Sequence, residues 1–223
     1  MLWLKEKKMA NVAPRPAAEL PELAGVFGAA EAAMGFVPNS MLTMAHMPQL
    51  PLAFVMLTSV VFGGDLKSLV DAFKDTVPEH DDPAASLAPG LVQLIALASS
   101  VSAGCRYCQA HTAHGADKRG EDAEKLDALL AYETSELYSQ AERAVLTLAF
   151  AAGQVPNEAQ ADHFSALREH FSERQIVQIV AVIAMFGFLN RWNDTMATTL
   201  EAAPVAFAEK ALGALDWSAG KHG

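Results

Sequence analysis

Apolar residues recur along this chain at the three- and four-residue spacing of helices, and the strict alternation of half-buried strands is missing. The pattern predicts a helix over Glu19–Met34 ending at Gly35, and a short one capped by Ser40 that reaches His46. An apolar helix opened by Pro48 or Pro51 and stopped by Gly63-Gly64 follows. The polar stretch from Pro78 to Pro83, with Glu79, Asp81 and Asp82, reads as an exposed linker. Helices over Leu87–Ala103 and Cys105–Arg119 meet at Gly104, and Gly120 ends the second. Others are expected over Asp122–Tyr132, Gln140–Ala152, Glu158–His170 and Glu173–Thr199, the last capped by Ser172. Pro204 punctuates a short C-terminal helix. The fold class is all-α: residues 1–18 form an N-terminal extension, 19–217 a single domain and 218–223 a flexible tail.

One frame occurs twice. Leu91-Val-Gln-Leu-Ile-Ala-Leu-Ala is echoed by Ile176-Val-Gln-Ile-Val-Ala-Val-Ile, 85 positions on (176 − 91), with Gln93 on Gln178 and Ala96 on Ala181. Without a gap, Cys105-Arg-Tyr-Cys108 falls on Asn190-Arg-Trp-Asn193. A weaker echo pairs Leu57–Gly64 with Leu146–Gly153. Two apolar helices can resemble each other by chance. The alternative is an internal duplication, with pseudo-repeats near 48–132 and 139–200 and a bundle of two related halves.

Composition narrows the function. Twenty-six acidic against 16 basic residues give a net charge of −10, the wrong sign for a nucleic-acid binder. The N-terminal apolar run, Met1 to Leu4, is too short for a signal-peptide core, and Met9 is an alternative start. Ile176–Leu189 falls short of the roughly 20 residues of a membrane span and reads as a buried core helix. A cytoplasmic protein with no membrane partner is expected. The two cysteines are too few and too close to hold a fold together.

They are the chemical signal instead. Cys105, Cys108 and His111 lie three residues apart after Gly104. Steps of three on a helix turn through about 300°, so neighbours in this series can touch. A helix N-terminus stabilises thiolate, and a histidine one turn on can exchange a proton with it. A redox-active dithiol is the leading reading; helix-end placement favours Cys105 as the attacking sulfur, closeness to His111 favours Cys108, and the balance falls to Cys108. A zinc site from Cys105, Cys108, His111 and His114 is disfavoured, because Cys105 and His114 lie about 180° apart on one helix. No metal is expected. Two buried core cysteines are the bland alternative, and the missing βαβ pattern argues against a thioredoxin fold.

The segment from Leu91 to Gly120 resembles the alkylhydroperoxidase AhpD-like / carboxymuconolactone decarboxylase family, whose redox branch carries Cys-x-x-Cys and a histidine after an apolar helix. A looser likeness to larger, duplicated members runs from Val37-Pro38-Asn39 to Asn190–Asp194 and beyond. The resemblance implies an AhpD-like all-helical homo-oligomer. It would act as a thiol-dependent peroxidase or disulfide oxidoreductase through Cys105, Cys108 and His111, without cofactor. Its partners would be a small-molecule peroxide or disulfide and an external thiol reductant. Two departures bear on rate: Gln93 stands where the family pattern has a glutamate, and Thr112 where its histidine usually lies. The alternatives are a cofactor-free decarboxylase-like lyase and a non-catalytic oligomeric binding protein.

Among supporting candidates, Tyr107 either shields the pair or packs, as its counterpart Trp192 suggests. His114 reads as a packing residue. The cluster from Asn190 to Asp194 is open between lining a cavity, forming an interface and capping a helix. His163 and His170 read as structural. The methionines Met34, Met41, Met44, Met47 and Met56 are spaced as core or interface residues.

Overall fold

The computed structural model describes residues 10–79 and 83–223, and among these no strand occurs. The expectations for residues 1–9 and for the acidic linker at 80–82 lie outside the described residues. The chain divides between Ala85 and Ser86 into two compact units, where the sequence pattern suggested one domain over 19–217.

In the first unit, Pro21 has no N–H to continue a helix inward from Glu19, so the chain opens with 3-10 turns at Ala17–Glu19 and Pro21–Leu23. The helix proper, α1, is Ala24–Met34 and ends on Gly35 at φ +80°. Next come α2 (Asn39–Met44) and α3 (Leu50–Val61). Pro38 holds the N-cap of α2, so Ser40 lies inside that helix rather than capping it. The pattern gave no helix over Leu66–Phe73, which forms α4, although Asp65 caps it by accepting the Ser68 N–H at 2.8 Å. Leu20, Leu23, Val26, Phe27, Met41, Leu52 and Phe73 fill this unit's core.

The second unit holds α5 (Pro89–Ala103), α6 (Arg106–Asp117), α7 (Ala123–Asp127), α8 (Gln140–Gly153), α9 (Ala161–Arg168), α10 (Glu173–Met196) and α11 (Ala202–Ala211). Central α5 packs against α6, α8 and α10, and α11 packs against α6. Its centre is closed on all sides: Leu94 through Ala98 are wholly buried. Ser139 and Ser172 close capping boxes on α8 and α10 with Glu142 and Gln175.

α10 departs from the expected buried core helix. It is long and apolar enough to cross a membrane by length and composition (mean hydropathy 1.4). Only one stripe is buried, through Ile176, Ile179, Ile183, Asn190 and Asn193, while Met185, Phe188, Trp192 and Met196 are exposed.

The segment after α11 also differs from the expected flexible tail at 218–223. It closes in a 3-10 turn at Gly220–His222, and His222 is 1% exposed. Hydrogen bonds anchor it. The Leu200 N–H donates to the His222 carbonyl at 2.8 Å, the Lys221 ammonium to the Asp194 carbonyl at 2.8 Å, and the Trp217 indole N–H to the Arg106 carbonyl at 3.4 Å.

Candidate functional site

The site begins with a broken helix. α5 ends on Gly104 at φ +77°, and the Gly104 and Cys105 N–H groups donate to the carbonyls of Val101 and Ser100, both at 3.1 Å. This is the paired closure of a left-handed helix end. A side chain at Gly104 would meet open space, so the dihedral and not crowding calls for glycine. The turn leaves Cys105 extended (φ −79°, ψ 101°) as the N-cap of α6, its Sγ accepting the Cys108 N–H at 3.5 Å. A sulfur thus stands where a cap oxygen usually does.

Both thiols are free and buried, Cys105 at 0% and Cys108 at 3% exposure. The Cys108 thiol, donating to the Cys105 sulfur, holds Cys105 below the ordinary thiol range against the opposing effect of burial, and the Cys108 N–H adds to the lowering. Cys108 is pushed far up, first because its proton is committed to Cys105 and then by burial. Cys105 is therefore the sulfur that ionises first. The Asn193 amide donates to the Cys108 Sγ at 3.5 Å and to the Leu189 carbonyl at 3.0 Å.

His111 turns away from the sulfurs. Its Nε2 lies 2.6 Å from Glu201 Oε2, its ring stacks on Tyr107 at 4.4 Å, and no described hydrogen bond joins it to either cysteine. The Tyr107 hydroxyl donates to the other Glu201 oxygen at 3.2 Å. Glu201 is held below the usual carboxylate range, first by its own N–H and then by His111. Thr112 spends its hydroxyl within the helix, on the Cys108 carbonyl at 2.7 Å. Gln93 packs against Gly115 of α6, its Oε1 2.6 Å from where a Cβ there would stand. His114 packs against Phe207 of α11. Asn190 donates to the Ser99 carbonyl at 3.5 Å, while its Oδ1 is buried with no partner among the described residues. Trp192 is 55% exposed and stacks on Phe188.

Residues the sequence left in the background reach the sulfur instead. His222 Nδ1 lies 2.8 Å from the Thr198 carbonyl and Nε2 3.0 Å from Asp194 Oδ1. Donor atoms of Cys105, Asp194 and His222 all lie within 4.8 Å of one another, a set able to hold a metal ion. Asp194 had appeared only as part of a polar cluster. His222 and Glu201 gave no signal, because isolated residues in short terminal elements carry no periodicity.

Comparisons with known proteins agree with this architecture. The model of the carboxymuconolactone decarboxylase family matches residues 71–151. The debrominase Bmp8 is 37% identical over 89% of this chain and 96% of its own, with a TM-score of 0.52. A cysteine-to-alanine variant of Bmp8 in complex with 2,3,4-tribromopyrrole is 35% identical over 92% of this chain and 98% of its own, at 0.53. An uncharacterized peroxidase-related protein from Ralstonia eutropha JMP134, with an alkylhydroperoxidase AhpD core, shares the fold at 24% identity, covering 91% and 97% of the two chains at a TM-score of 0.50. The uncharacterized protein YdfG of Bacillus subtilis (strain 168) is 30% identical over 102 residues, 45% of this chain and 67% of its own. The chain belongs to the carboxymuconolactone decarboxylase family and has its AhpD-like, all-helical fold.

Proposed function

We propose that this protein is a dithiol-dependent reductase in which Cys105 attacks a small electrophile and Cys108 resolves the product. The carrying observation is the N-cap geometry: the Cys105 sulfur sits at the start of α6 and accepts the Cys108 N–H. With a hydroperoxide, the Cys105 thiolate forms an S–O bond as the O–O bond breaks, and the leaving alkoxide takes a proton to become the alcohol. Cys108 then displaces water from the sulfenic acid to close the Cys105–Cys108 disulfide. An external thiol reductant returns two electrons and two protons. That cycle suits a compartment that keeps thiols reduced, such as the cytoplasm. His111 acts at one remove, with Tyr107 and Glu201 forming one wall of the site.

The likeness to Bmp8 favours a second reading of the same dithiol, reductive debromination. There the carbon exchanges bromine for a proton, bromide leaves, and the pair again ends as a disulfide. Burial of both sulfurs is the observation on the side of a non-catalytic protein.

Thiol titration of the folded, reduced chain decides between these. A hydroperoxide or tribromopyrrole should remove two thiols per chain and leave a Cys105–Cys108 disulfide, with bromide released only by the pyrrole. Unchanged thiols with both substrates would overturn the proposal.

A further inference from the structure

We propose that Cys105, Asp194 and His222 form a site for a zinc-class divalent cation, whose occupancy reversibly blocks the dithiol. The inference rests on the reductase reading only for this regulatory consequence, since cation binding itself requires no turnover.

The donors come from three separate stretches: the turn before α6, the last turn of α10 and the segment after α11. One thiolate sulfur, one carboxylate oxygen and one imidazole nitrogen are ligand types zinc accepts together, whereas magnesium and calcium prefer oxygen alone. Bonds of about 2.0–2.3 Å at a tetrahedral ion place its donors roughly 3.3–3.5 Å apart. The observed Nε2–Oδ1 distance of 3.0 Å and the 4.8 Å bound on the whole set bracket that spacing.

His222 is already oriented as a ligand. The Thr198 carbonyl can only accept, so the Nδ1 at 2.8 Å from it carries a proton, and Nε2 is left facing the cluster. Ligating histidines commonly hold their other nitrogen on a carbonyl in this way. Nε2 and the Asp194 Oδ1 face each other across 3.0 Å, two donor atoms that one cation can bridge. Lys221 supplies a further positive charge 3.4 Å from the same oxygen. Its side chain is about half exposed and also donates to the Asp194 carbonyl at 2.8 Å. The ring is otherwise enclosed, with Tyr107 at 5.9 Å.

A cation bound to the Cys105 sulfur occupies the electron pair with which that sulfur would attack. Cys108, held by Asn193, lies outside the donor set. The fourth position at the ion falls to water.

Equilibrium dialysis of the reduced, full-length chain against zinc chloride tests the site. One zinc per chain is expected. Cys105→Ser, Asp194→Asn and His222→Asn should each weaken binding by at least about a hundredfold, more than loss of an outer partner costs. Cys108→Ser should stay within a few fold of the parent. A metal-free chain, unchanged affinity in Cys105→Ser, or affinity that depends on Cys108 and not on Asp194 or His222 would overturn the proposal. Should His222→Asn fail to fold, the cobalt spectrum of the unsubstituted chain supplies the answer. Charge transfer from one thiolate with tetrahedral visible bands supports the site, and a two-thiolate spectrum refutes it. A chain that binds zinc but reduces neither peroxide nor bromopyrrole would refute the reductase and leave the cation site standing.

Discussion

Residues 91–108 and 176–193 follow one frame and fold into different objects. The first is two helices with a left-handed glycine between them; the second is an unbroken stretch of α10. The difference localises to one position of the frame. Gly104 takes φ +77°, which an L side chain rarely adopts, and its counterpart Leu189 continues the helix. Breaking the helix creates a second N-terminus, and with it the orphan N–H groups that can hold a thiolate. The two stretches also meet: Asn193, at the position of Cys108 in the frame, donates to the Cys108 sulfur. One stretch carries the sulfurs and the other positions them.

The largest expected effect comes from taking the chemistry out of the broken stretch. Cys105→Ser should lower the rate of thiol-linked reduction by more than about a hundredfold, because the hydroxyl that replaces the sulfur is not ionised and is a weak nucleophile at neutral pH. Cys108→Ser should still react once, leaving Cys105 as a sulfenic acid or mixed adduct that mass spectrometry would detect. Equal multiple turnover by both variants would show that the asymmetry between the sulfurs is not functional.

Next in size is the break itself. In Gly104→Ala the Cβ meets no neighbour, so the cost is that of a left-handed L-residue, about 1–2 kcal/mol. Denaturant unfolding would read this loss. Slower alkylation of Cys105 should accompany it, as the turn that places the sulfur at the N-cap loosens. A variant as stable and as reactive as the parent would remove Gly104 from the account.

Much of this contrast was legible in the sequence. Gly104, the cysteine spacing and the shared frame marked the site, and Ser172 marked the start of α10. What escaped did so for different reasons. α4 does carry a helical stripe, Leu66, Leu69, Val70 and Phe73 behind the Asp65 cap, but over eight residues only. Pro21 moved the start of α1 because a missing N–H outweighed a helical pattern. His111 was expected beside the sulfurs from its spacing alone. It pairs with Glu201, a residue 90 positions away that no local rule could supply. The enclosure of His222 likewise depends on Thr198 and Asp194, brought together by the return of the chain after α11.

Moving the sulfurs to the unbroken stretch sharpens the comparison further. Asn190→Cys with Asn193→Cys places the same pair on the same frame, but inside α10, where backbone N–H groups are already bonded. Alkylation of either introduced thiol should be at least about tenfold slower than that of Cys105, since neither gains a helix N-terminus. Equal reactivity would mean that burial and neighbours, not the helix break, set the thiolate character of Cys105.

The smallest expected effect concerns how the two stretches begin. α5 opens on Pro89 with no side-chain cap, whereas α10 has the reciprocal box in which Ser172 Oγ accepts the Gln175 N–H at 3.3 Å and Gln175 Oε1 accepts the Ser172 N–H at 3.0 Å. Ser172→Ala removes one half of that box and should cost about 1 kcal/mol in denaturant unfolding. Thiol reactivity should be unchanged, because Ser172 stands about six turns from Asn193, the α10 residue that donates to Cys108. A fall in Cys105 alkylation without a fall in stability would show that α10 transmits strain along its length, and would make α10 an active participant in the chemistry of the cysteine pair.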